Sequence, residues 1–394
     1  MTRKLHHPGP DESMPKVRAH AAKLALWSLI MLTPAWIASS PVHAQNYQVI
    51  HNFDSTSAEG AHPNGLALGA GNNVFGTTQY GDSVQGTVFK IDSTHVFTIL
   101  HTFVGSPDGA IPHHRVTLDS NGNIYGTTAG GGAHGYGTVF KIDSSGVETI
   151  LHSFNNGDGR DPSQLTRDLA GNLYGTAAYG GHSHGLIFRI SASGTFRILY
   201  EFSGPDGFQP QGGVARDSAG NLYGTTARGG DFDHGTVFEL APNGTETVLH
   251  SFTGGADGDK PYTETLLDSA GNLYSTTGKG GDFGAGTVFK LDSAGVFTVL
   301  HSFDGVDGAS PSGGLVMDAA GNLYGNTGGG GDFKQGVLFQ LDPSGNETLL
   351  HNFGGLNDGS DPIGTPLLRG DGTLYGATQL GGLHGDGALF KMIP

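Results

Sequence analysis

Six side chains in this sequence have the chemistry to hold a metal ion: His134, His182, His184, Asp231, Asp233 and His234. They fall in three successive glycine-rich phrases, AGGGAHGYG, AYGGHSHG and ARGGDFDHG. Imidazole nitrogens completed by one or two carboxylates suit zinc or copper. The His182-x-His184 spacing would turn both rings to one face of a strand, although on a glycine-rich loop that cue is weak. A second set could work on a sugar or simply hold one. His113, His114 and Arg115, then Tyr262 and Glu264, interrupt otherwise repetitive sequence, and Tyr179 and Arg228 stand among the variable loop residues. Together they offer acids, bases, cations and aromatic faces. The competing reading of every one of them is a solvated, sequence-tolerant loop position.

Other chemistries find little support. With no cysteine there is no thiol nucleophile, and a serine nucleophile in a strand-to-helix elbow is not expected. No G-x-x-x-x-G-K-[ST] string precedes a helix pattern, so the glycine pairs do not read as a phosphate loop. The recurrent Asp-Gly-x-x-Pro phrases are rich in aspartate but lack D-x-D-x-D-G calcium spacing.

The elements that must position these residues are set by a repeat. The phrase G-N-L-Y-G-T-T, or a near copy, places its aromatic at Phe75, Tyr125, Tyr174, Tyr223, Tyr274, Tyr324 and Tyr375. The phrase G-T-V-F-K follows in phase, with Phe89, Phe140, Phe188, Phe238, Phe289, Phe339 and Phe390. A period of about 50 residues with four short strands per unit is the pattern of a β-propeller blade. The last unit stops after its third strand, while Tyr47–Phe53 (YQVIHNF) copies the fourth-strand phrase TVLHSF. An all-β, seven-bladed propeller is therefore expected over 45–394, its ring closed by residues 47–53, which complete the last blade. The L-H-x-F histidines recur around the ring and so read as blade architecture. Tight turns join the first strand to the second and the third to the fourth, so the longer loops share the opposite face, the expected ligand face.

At DSAGNLYGTT, GTVFKLD, LHSF and DGxxP the sequence resembles the Gloeo/Verruco tandem repeat of exported bacterial proteins, over essentially all of 46–394. More distantly, through D-x-x-G-N-L-Y, it is similar to NHL and gluconolactonase-type propellers. The resemblance implies a propeller outside the cytoplasm and assigns no activity.

Composition agrees with that placement. Five basic residues, an apolar run over Leu24–Ile37 and the phrase SSPVHA read as a signal peptide over 1–44. The remaining chain carries 15 basic and 34 acidic residues, a balance that repels nucleic acid and anionic lipid. A periplasmic or extracellular monomer is expected, with no membrane span after cleavage and no cofactor required, a divalent metal being the one candidate. The leading functional expectation is a non-enzymatic module binding a glycan, a peptide or an envelope protein through its long-loop face. The alternatives are a polysaccharide lyase or glycoside hydrolase, and a metal-dependent hydrolase with its site at the central pocket.

Overall fold

A computed structural model describes residues 46–394 apart from 82, 83 and 356. The signal-peptide reading of 1–44 thus lies outside the described residues. Seven antiparallel blade sheets follow one another, six of them running from an inner strand to an outer one in chain order, and a two-stranded ladder of Gly109–Ala110 with Gly130–Gly131 adds to blade two. Blade four is typical: Ala215–Arg216, Leu222–Thr226, Thr236–Leu240 and Glu246–Ser251. The only helical element among the described residues is a short 3₁₀ turn at Ala70–Asn72. The ring closes as the sequence suggests. Asn46–Asn52 pairs antiparallel with Ala388–Ile393, placing Tyr47 opposite Met392 and Val49 opposite Phe390.

Alternation along the third strand explains why blades stack. In T-V-F-K-I, Val88 and Phe89 are both fully buried, yet they belong to different layers. Phe89 packs with Phe53, Leu66 and Leu389 of the preceding junction, and Val88 with Phe103, Val116 and Phe140 of the next. The core is accordingly seven inter-blade layers rather than one central mass, and burying both faces of each sheet drives closure. The glycine of L-Y-G-T-T is required by close approach. A Cβ on Gly224 would lie 2.7 Å from the ring of Phe238, its cross-strand partner. Each outer strand carries a β-bulge beside its histidine. Val88 faces His101 and Phe89 faces Ile99, which leaves Leu100 as the extra residue.

Candidate functional site

A proline stands at or a few residues before the inner strand of every blade, and the residue preceding it adopts a left-handed conformation. His62, Ile111, Asp161, Gln209, Lys260, Ser310 and Asp361 all have φ between 52° and 59°. For non-glycine residues this costs on the order of 1–2 kcal/mol apiece. Hydrogen bonds between blades hold the conformation: the amides of Ile111 and Lys260 donate to the carbonyls of Gln85 and His234, at 2.8 and 3.1 Å. The proline ring itself seats against the glycine that opens the preceding blade's third strand, as Pro261 does on Gly235. The scaffold thereby presents side chains of six kinds at seven equivalent stations around the mouth.

Inside that mouth lies a funnel of about 360 Å³. Four of the five repeat-breaking residues form two pairs there. Arg115 of blade two and Glu264 of blade five meet with Nη2 and Oε2 3.0 Å apart. Both also border a larger cavity of about 710 Å³ on the tight-turn side, so the pair forms the partition between the two. His113 Nε2 lies 3.3 Å from Asp161 Oδ1, and its ring is 4.2 Å from that of His114. Burial, and then the neighbouring His113, hold the His114 imidazole well below its ordinary pKa, so it is neutral. The fifth residue, Tyr262, donates from its hydroxyl to the Pro311 carbonyl at 3.1 Å. Burial, and then Asp361, push its phenol up. Gly278 leaves the space that the Tyr262 ring occupies.

Sequence reasoning missed several residues of this funnel. Gln79 and Asn64 line it, joined by a 2.9 Å hydrogen bond from Gln79 Nε2 to Asn64 Oδ1, and Asn64 in turn donates to the Pro112 carbonyl. A signal existed, because Gln79 stands where blades two to six carry alanine or glycine. Ser275 is a second case. It replaces the glycine of L-Y-G-T-T in blade five alone, and its hydroxyl donates to the Glu264 carbonyl at 3.1 Å. Burial also raises the Asp361 carboxyl, with His62 opposing. The larger cavity on the opposite side is bordered by Asp217 and Asp268. Their oxygens are taken up by their own turns, as in the 2.8 Å bond from the Asn221 amide to Asp217 Oδ1.

The loop residues do not converge. His134, Asp231 and Asp233 are exposed; His182 pairs with Glu201 at 2.8 Å and His234 with Asp259 at 3.0 Å. His184 Nδ1 lies 2.9 Å from the His182 carbonyl oxygen. Among the described residues, no three of these six bring ligand atoms together. Arg228 is exposed and pairs through its backbone with Phe208. Tyr179 accepts a 2.7 Å hydrogen bond from Gln209, and the Arg160 guanidinium lies 4.5 Å over its ring. Both Tyr179 and Arg160 belong to a shallow surface dish beside the funnel. Gly181-His182-Ser183-His184-Gly185 does match G-x-S-x-G in letters, with Ser183 at φ 76°. The next element is the antiparallel strand Leu186–Ile190, so the helix that completes a nucleophile elbow is missing.

The L-H-x-F histidines prove architectural. Each meets the acid of the following inter-blade loop: His51 with Glu59, and His152, His250, His301 and His351 with Asp158, Asp257, Asp307 and Asp358, at 3.0–3.3 Å. His101 and Asp108 are 3.5 Å apart. Where blade three has tyrosine, Tyr200 keeps the link by donating to Asp206 at 2.5 Å. The Asp of Asp-Gly-x-x-Pro is thus the partner of a rim side chain.

Fold and site define a seven-bladed β-propeller with an asymmetric central funnel. The chain belongs to the Gloeobacter/Verrucomicrobia repeat family, whose model matches residues 37–185 and 161–390. No curated protein matches the sequence. Among solved structures, virginiamycin B lyase from Staphylococcus aureus is similar in fold, at 15% identity and a TM-score of 0.62, over 89% of this chain and 99% of that one. The extracellular domain of a hybrid two-component system from B. thetaiotaomicron is also similar, at 11% identity and a TM-score of 0.59, over 88% of this chain and 39% of that one. A gluconolactonase from Xanthomonas campestris gives a TM-score of 0.48 at 12% identity, over 89% of each chain. No helix among the described residues is long and apolar enough to cross a membrane.

Proposed function

We propose that this protein is an exported, non-enzymatic binding module that takes a glycan, or a similar small polyhydroxylated ligand, in the funnel of its long-loop face. One observation carries the reading. The residues that depart from the repeat come from distant blades and converge on the axis, with the Arg115–Glu264 pair as floor. The funnel falls within the size range of small-molecule sites. Its lining of amides, carboxylates and the rings of Tyr80 and Tyr262 is what sugar hydroxyls and sugar faces require. Acid/base catalysis is less well supported, because Arg115 engages Glu264 and the Tyr262 proton is committed to the Pro311 carbonyl. Neutral His114 keeps a lyase or hydrolase as the second reading.

The test is a calorimetric titration with a panel of neutral and acidic oligosaccharides, alongside an assay for unsaturated or newly reducing ends. The expected result is binding without turnover, weakened at least tenfold in Arg115→Ala/Glu264→Ala. Turnover would replace this reading with the enzymatic one. Binding indifferent to the double variant would place the ligand outside the funnel.

A further inference from the structure

The rim of the ring holds a second feature, independent of the funnel. Four residues before each L-H-x-F histidine or its tyrosine substitute, the outer strand carries Tyr47, Phe97, Glu148, Phe196, Glu246, Phe297 or Glu347. The side chain at this position meets the histidine of the preceding blade. At four junctions it is aromatic and stacks: Phe97 on His51 at 4.2 Å, and Phe196 on His152, Phe297 on His250 and Tyr47 on His351 at 3.8 Å. At the other three it is glutamate. Two of those junctions gather a histidine and two carboxylates, His101/Asp108/Glu148 and His301/Asp307/Glu347, with ligand atoms all within 4.8 Å of one another.

We propose that these two triads are zinc-binding sites, one between blades one and two and one between blades five and six. Three donors about 2.0 Å from a tetrahedral ion stand roughly 3.3 Å apart. His301 Nε2 is 3.0 Å from Asp307 Oδ2 and 3.6 Å from Glu347 Oε2, and His101 Nε2 is 3.5 Å from Asp108 Oδ2. His301 and Asp307 already share a hydrogen bond, but four other polar atoms of the triads are unspent. Glu347, with a side chain only 10% exposed, has a buried Oε1 with no protein partner, as do His101 Nε2, Asp108 Oδ1 and Glu148 Oε1. Buried acceptors left in this state cost free energy until a proton or a cation satisfies them. His51, His152, His250 and His351 sit against an aromatic ring instead, so those junctions offer one carboxylate and no third donor. The remaining acidic junction lacks the imidazole: Tyr200 donates to Asp206, leaving Glu246 without a nitrogen partner. The six triad residues are only partly buried, which leaves the fourth position of each ion to water.

The experiment is to strip the purified protein with chelator, titrate zinc calorimetrically, and count retained zinc by mass spectrometry after gel filtration. Two equivalents at micromolar or tighter affinity are expected. Glu148→Phe and Glu347→Phe should each lose one equivalent, and the double variant both, with the melting temperature of the metal-free form retained because phenylalanine occupies this position at three sister junctions. Where phenylalanine upsets the fold, Glu148→Gln and Glu347→Gln carry the same expectation. Absence of zinc binding in the parent, or two equivalents kept by the double variant, would overturn the proposal.

Discussion

At the rim, two kinds of junction are built on one backbone. The histidine, the acid of the next loop and the bulge recur; what differs is whether an aromatic ring or a carboxylate closes the junction. The ring stacks on the imidazole, and His250 keeps its loop acid Asp257 as a hydrogen-bond partner. At each glutamate junction the carboxylate keeps a buried, unpaired Oε1, whereas among the stacked junctions only the His152 imidazole has an unpaired nitrogen. One side chain, four residues before a repeated histidine, therefore decides whether a junction is held by packing or awaits a ligand.

Truncation should break this comparison most sharply. His250→Ala removes a stacked ring and the hydrogen-bond partner of Asp257, and is expected to cost about 2 kcal/mol in urea unfolding. His101→Ala in the metal-free protein should cost less than about 1 kcal/mol, there being no stack to lose. Equal costs would mean that the two junctions are energetically alike.

The two kinds should also respond oppositely to pH. Burial, ahead of the opposing effect of Asp257, holds His250 below the ordinary histidine value. Its contribution to stability is present above the unfolded pKa of about 6.5 and is lost as pH falls through the folded value. Burial, and then Asp206, push Glu246 up to about 7. Its contribution is complete below the unfolded value of about 4.3 and is lost as pH rises through about 7. Glu246→Gln should accordingly raise the melting temperature by about 2 °C at pH 8 relative to pH 5. A uniform offset at both pH values would remove the titration argument.

Smaller effects sharpen the contrast. Glu246→Phe rebuilds a stacked junction on Tyr200 and should stabilise the protein by about 0.5–1 kcal/mol at pH 8; a loss would show that tyrosine cannot take the histidine's place in the stack. Smallest of all is the axis. Arg115 and Glu264 are 34% and 22% exposed, and their joint replacement by alanine should change stability by less than about 1 kcal/mol. A large loss would make the pair a structural clamp rather than the floor of a site.

How far the site was legible depended on what kind of pattern each residue made. His113, His114, Arg115, Tyr262 and Glu264 broke the repeat and all line the funnel, because asymmetry is visible against seven copies. The loop histidines also broke it, yet they splay outward over exposed loops, where sequence proximity between blades carries no information about direction. The Phe/Glu alternation lay in plain view in FTILH, ETILH and FRILY. It went unread because a consensus treats alternation as noise, and because its partner histidine comes from a different blade. Ser275 differs from the repeat by one small residue, and only the fold places its hydroxyl on the Glu264 carbonyl.

The sequence by itself determined the number of blades, the order of strands within them and the strand that closes the ring. Those features follow from periodic burial and turn chemistry, which are local and repeated. The tertiary structure alone decided which side chains meet across the axis and across each junction. Arg115 and Glu264 are 149 residues apart in the chain, yet 3.0 Å apart in space. Closing a ring turns distance along the chain into an angle around an axis, and no local pattern encodes the reach of two side chains across it.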